Sequence, residues 1–237
     1  MKLVVNPEGF GEFNVTTVTQ LLILTTKIFE LHSGIQSPRD IEIRHTAGTP
    51  ECRNEGDKRI IFLSAAENYY GRYVYEFAHE YLHNLIDRDP LVESFAGLAW
   101  FEETLCEAAS RFAIWQFVNS DLHSIEDLCH SYPVFRDYLE HCLPLDPELV
   151  TEYRSHGSVL PWLPLLEESC YHRKHYAVIA DAILPLFYTT PCLWCIIAYI
   201  GNATHWQSLE ALFAHLDSET PVELHAGVDG IRRILLG

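Results

Sequence analysis

Residues 59–85, "RIIFLSAAENYYGRYVYEFAHEYLHNL", decide the fold. The stretch opens with an apolar, β-branched run, Arg59 to Ala65, which reads as a strand. From about Asn68 to Ile86 the apolar residues recur with helical spacing, so a helix follows the strand. Working outward, "KLVV" (2–5) and "DIEIRH" (40–45) read as two more strands, and "TAGTPECRNEGDK" (46–58) as a polar loop. Asn14 can cap a helix running from about Val15 to His32, with apolar Val18, Leu21, Leu22, Ile28 and Leu31. Downstream, "DRDP" (87–90) breaks the chain before another helix from about Leu98 to Val118.

Beyond residue 120 the pattern is helical, with expected helices near 133–142, 146–155, 168–188, 191–200 and 206–217. The predicted architecture is therefore α+β: a small N-terminal sheet packed on two helices, followed by a mostly helical C-terminal lobe. The expected division places a core in residues 1–120 and the helical lobe in 121–237, completing a cleft.

The whole chain narrows the function classes. It has 237 residues, 48% of them hydrophobic, and a net charge of −17. That content supports a sizeable core, and the charge argues against a nucleic-acid partner, because phosphate binding needs clustered Lys and Arg. Seven cysteines without framework spacing, and an N-terminus without a secretory pattern, suit a reducing, cytoplasmic setting. The run Val178 to Ile200 contains one charge, Asp181. Its length would suffice for a bilayer, but Pro185 and Pro191 point to two buried core helices, so no membrane span is expected.

Within the central helix, His79 and His83 stand four residues apart and Glu80 follows the first of them. Four residues of α-helix turn about 40° past a full circle, so both imidazoles can reach one ion. Glu80 is then placed to act on water at the metal rather than to bind it. A hydrolytic zinc site needs three protein ligands and an open position. Glu103, 20 residues after His83, supplies the third on the next helix, and Glu107, one turn on, is its outer carboxylate partner. Trp100, Phe101, Leu105 and Cys106 argue that this helix is at least partly buried.

"HEYLH" (79–83) followed by Glu103 in "WFEETLCE" resembles the gluzincin metallopeptidases, which include thermolysin-like and aminopeptidase-N-like enzymes. The resemblance covers roughly residues 40–118. It implies a zinc-dependent peptidase with His79, His83 and Glu103 as ligands and Glu80 as general base. The aminopeptidase-type spacing within that family would imply Glu102 as the alternative third ligand. It also implies that "RIIFLSA" is the edge strand along which an extended peptide lies. No "GxMEN" exopeptidase signature precedes the helix; the nearest run is "SAAENYY" (64–70).

Two further stretches stand out. "YHRKHYAVIADAILPLF" (171–187) begins polar and turns apolar, so Tyr171, His172, Arg173, His175 and Tyr176 are candidates for a cleft lip. Tyr176, with His172 and His175 behind it, is the expected donor to a developing oxyanion, and His156 is the reserve. Cys192 and Cys195 form a CxxC pair with neither a preceding strand nor a second CxxC, and read as two buried cysteines. The functional expectation is a zinc hydrolase taking a peptide or a small amide. Its competitors are a non-peptide amide hydrolase with the same metal core, and a helical interaction protein with a fortuitous or structural HExxH.

Overall fold

The computed structural model describes residues 1–86, 97–119, 132–169, 172–201 and 206–237. The expected break at 87–90 and Tyr171 lie outside these. The chain divides into two compact units, Met1–Leu85 with Ala109–Pro144, and Ile86–Ala108 with Leu145–Gly237.

The first unit holds a four-stranded mixed sheet, β1 (Leu3–Val5), β2 (Asp40–His45), β3 (Glu51–Glu55) and β4 (Lys58–Leu63), in the order β1-β2-β4-β3. β1 and β4 run parallel to β2, while β3 is antiparallel to β4. Alternation sets the faces. Val5, Ile41, Ile43, Ile61 and Leu63 fall on one side and are buried. The other side carries ion pairs of Arg44 with Glu42 and Glu55, of Lys58 with Glu42, and of Arg53 with Glu55.

Two sequence expectations are corrected here. Residues 51–55 are a strand, not loop: Gly56, at φ +64°, and Asp57 make a two-residue turn that pairs Glu55 with Lys58. Its residues are nearly all polar, so the run lacks the apolar alternation by which strands are recognised. Consequently "RIIFLSA" is not an edge strand. β4 lies between β2 and β3, and β3 is at the edge.

Helix α1 (Val15–Ser33) starts as expected, with Asn14 Oδ1 accepting from the Thr17 N–H at 3.0 Å, and ends at left-handed Gly34. Helix α2 (Tyr70–Leu85) follows β4. Helix α3 (Ala99–Asn119) runs unbroken from the second unit into the first. Helix α4 (Tyr132–Asp137) continues into a π turn at Tyr138–Cys142. In this unit Phe29 packs against Tyr81 and Phe112, and Tyr81 stacks on Phe77.

The second unit is helical: the start of α3, then α5 (Pro147–His156), α6 (Leu163–Glu168), α7 (Arg173–Thr189), α8 (Ile197–Ile200), α9 (Leu209–Glu219) and α10 (Val222–Leu236), with tight 3-10 turns at Leu160–Trp162 and Pro191–Ile196. The helix expected over 168–188 starts at Arg173, and most of the one expected at 191–200 is the 3-10 turn. Helix α10 was not expected at all, because Gly227 and Gly230 weaken its helical signature. Both glycines answer to packing: a Cβ at Gly227 would lie 2.5 Å from Leu193, and one at Gly230 3.0 Å from Leu186. No single helix among the described residues is long and apolar enough to cross a membrane; α7 and Pro191–Ile200 reach that length only together and are bent by 118°.

Candidate metal centre

Helix α2 buries an apolar side, Tyr73, Val74, Phe77, Ala78, Tyr81, Leu82 and Leu85, together with four polar residues, Glu76, Glu80, His83 and Asn84. Burying polar groups is unfavourable unless each finds a partner. Glu76 finds four. Its carboxylate accepts from the Ser64 N–H at 2.7 Å, the Ser64 hydroxyl at 2.7 Å, the Ala65 N–H at 2.9 Å and Arg72 Nε at 2.7 Å. This fixes the passage from β4 into α2. Near the other end Asn84 donates to Ser37 Oγ at 2.9 Å, and the Tyr81 hydroxyl donates to Glu30 at 3.1 Å.

Glu80, one turn after Glu76, is the exception. It is 6% exposed, yet its carboxylate forms no hydrogen bond or ion pair with any described residue. On β3, Cys52 lies close enough for Glu80 and His83 to act on its thiol. Burial, and then the Glu80 carboxylate, push that thiol up to about 11, although Arg59 Nη2 donates to Cys52 Sγ at 2.8 Å. The strand that runs near Glu80 at the edge of the sheet is thus β3, not the "RIIFLSA" strand that the resemblance implies as the edge.

The histidines behave as their spacing requires. The His79 and His83 rings meet edge to face, with centroids 5.1 Å apart. Within the first unit α3 is tied to α2 by the Ser110 hydroxyl, which donates to the Tyr75 carbonyl at 2.9 Å. One turn along from each of these residues lie Cys106 and His79. A nitrogen of His79, a nitrogen of His83 and the Cys106 sulfur all lie within 4.8 Å of one another. This group could hold a metal ion. A tetrahedral site with bonds of 2.0–2.3 Å has its ligand atoms about 3.5 Å apart. Nitrogen with sulfur suits zinc and other transition metals rather than magnesium or calcium.

Cys106 is not among the ligands that the sequence offers, where it is only a sign of burial. The signal was its position, one turn after Glu102 and Glu103 on the same helix. Glu103 and Glu107 are half-buried, and Glu102 is fully buried.

The other expected site residues lie in the second unit. Tyr176 is buried, and its hydroxyl donates to the Ser169 carbonyl at 3.0 Å and accepts the His172 N–H at 3.3 Å, which holds the start of α7. His175 packs edge to face on Trp162, with centroids 4.8 Å apart, and lies beside His172. Burial, and then His172, lower the pKa of His175. His156 ends α5 and is exposed. No known protein family matches the sequence, and no characterised protein matches it significantly.

Proposed function

We propose that the chain is a zinc-dependent hydrolase of gluzincin type that cleaves peptide bonds. The observation that carries the reading is Glu80: a buried carboxylate with no hydrogen-bonding or ion-pairing role among the described residues, next to two converging histidines. An idle buried carboxylate has only an energetic cost, whereas a general base must be left available.

His79 and His83 would hold the ion, with a third ligand from α3. That ligand is Glu103 by the spacing of the motif and Cys106 by the grouping of donor atoms. When bound, zinc acts as a Lewis acid and lowers the pKa of water toward neutrality. Glu80 accepts the proton that water gives up as it attacks the peptide carbonyl, then delivers that proton to the leaving nitrogen. Glu107 would orient Glu103 by an outer hydrogen bond. Edge strand β3 has β4 on one side and no other strand among the described residues, so an extended peptide can add to it as a further strand. Of the expected oxyanion donors, His172 and His175 stay with the proposal, whereas the Tyr176 hydroxyl already donates to the Ser169 carbonyl and would have to give up that bond to serve.

Two measurements test this. Turnover of a mixed peptide library by zinc-loaded protein should be abolished by a chelator and restored by zinc. A library left intact, with small non-peptide amides cleaved instead, would move the substrate class and keep the centre; no turnover of either would end the hydrolase reading. Cobalt substitution identifies the third ligand. A thiolate-to-cobalt charge-transfer band that disappears in Cys106→Ser assigns Cys106, whereas no such band and metal loss in Glu103→Gln assign Glu103.

A further inference from the structure

The CxxC pair of the second unit is not buried as its sequence suggests: Cys192 is exposed and Cys195 half-buried, both as thiols. The reason is the tight turn that carries them. Pro191–Ile196 is a 3-10 helix, with three residues per turn and a rise of about 2 Å per residue. Residues three apart therefore eclipse one another, with Cα atoms about 6 Å apart. A disulfide takes Cα separations of roughly 4.4–6.8 Å. In an ordinary α-helix the same pair would be offset by about 60° around the axis.

The residues between and after the cysteines hold the turn in place. Trp194 is fully buried against Phe187, with ring centroids 4.2 Å apart. Leu193 and Ile196 are also fully buried, and Leu193 fills the space left by Gly227 of α10. The turn is thus anchored by its apolar side, and the thiols occupy the remaining side. Burial, and then the neighbouring Cys192, raise the Cys195 thiol. An exposed attacking thiol followed by a more buried resolving one is the arrangement that thiol–disulfide exchange requires.

We propose that Cys192 and Cys195 are a redox-active pair that closes reversibly to an intrachain disulfide by exchange with low-molecular-weight disulfides. The Cys192 thiolate attacks one sulfur of the small disulfide, forming a mixed disulfide and releasing one small thiolate. Cys195, giving up its proton to solvent, then attacks the Cys192 sulfur and expels the second small thiolate. The protein pair loses two electrons, and the small disulfide gains them as two thiols. Neither step involves the metal centre, so this inference stands or falls apart from the proposed hydrolysis.

The test equilibrates the full chain in buffers of graded reduced to oxidised glutathione, quenches in acid, blocks remaining thiols with N-ethylmaleimide and maps the peptides by mass spectrometry. The peptide carrying residues 192–195 should lose both maleimide adducts together, with the mass of two hydrogens, before Cys52 or Cys106 reacts. Cys195→Ser should stop at a glutathione adduct on Cys192, and Cys192→Ser should form its adduct at position 195 at least about 10-fold more slowly. The proposal is overturned if both thiols stay blocked by maleimide until Cys52 and Cys106 oxidise, if Cys192 pairs with another cysteine, or if the adduct prefers Cys195. Should either variant fail to fold, the wild-type map decides alone.

Discussion

Helices α2 and α7 are nearly equal in length, 16 and 17 residues, yet α2 buries, beside its apolar side, a set of polar groups that α7 lacks. The buried side of α7 is Val178, Ile179, Ala180, Ile183, Leu184 and Phe187, with one hydroxyl, that of Tyr176, which is hydrogen-bonded. Helix α2 buries two carboxylates, an imidazole and an amide. Transfer of apolar area is enough to explain α7. For α2 it is not, and the two carboxylates, one helical turn apart, show why. Glu76 spends its oxygens on Ser64, Ala65 and Arg72 and so belongs to the fold. Glu80 has no such attachment among the described residues. Buried polarity in this helix therefore divides into a carboxylate tied into the fold and one with no such tie among the described residues, the one to which the proposal gives the chemistry.

The sharpest way to break that division is to neutralise each carboxylate in turn. Glu80→Gln should lower peptide turnover on the order of 10²–10⁴-fold while leaving the urea midpoint unchanged or slightly higher. A variant that unfolds, or one that turns over normally, would erase the distinction. Glu76→Ala should do the reverse, destabilising the protein by about 3 kcal/mol in urea titration, since it strands two backbone N–H groups and Arg72. Ile183→Ala in α7 should cost about 2–4 kcal/mol through its cavity and leave metal content untouched.

A smaller effect probes how α2 is seated. A Cβ at Gly71 would lie 2.6 Å from the Tyr138 ring and 2.8 Å from its Cβ, atoms that cannot swing aside. Gly71→Ala should cost about 1–3 kcal/mol by overpacking, read in the same titration.

The smallest expected effect concerns pH at the start of α7. The pKa of His175 is lowered in the folded chain from its ordinary value of 6.5. Asp146 and Glu152 oppose the shift without reversing it. Below that ordinary value the unfolded chain binds a proton that the folded chain does not, so stability falls as pH drops from 6.5 toward the lowered folded value. His175→Gln should flatten this part of the stability curve between neutral pH and pH 5. An unchanged slope would place the acid sensitivity elsewhere.

How far the sequence could be read follows the same division between apolar pattern and everything else. The strands expected at 40–45 and 59–65 and helices α1 and α2 are legible because their apolar residues keep period, and Asn14 marks a start; α3 is legible as a long apolar run after the "DRDP" break. β3 was not, because an edge strand of Glu, Cys, Arg, Asn and Glu has no buried side to announce it, and only the Gly56-Asp57 turn gave a hint. α10 was hidden by glycines whose need is set by Leu186 and Leu193, far off in sequence. The histidine pair was legible from its spacing alone. Cys106 was not, since a cysteine in an apolar helix looks like core until a partner helix places it against two imidazoles. The exposure of Cys192 depends on a 3-10 turn, and sequence spacing does not separate that from an α-helix.

The central claim, that α2 carries a metal centre, is tested most directly by metal analysis of protein purified without added zinc, compared with His79→Ala/His83→Ala prepared identically. The account predicts about one zinc per chain in the wild type, consistent with a single three-ligand centre, and essentially none in the double variant. Metal-free wild type that also fails to take up zinc on titration, or a double variant retaining the full complement, would contradict it.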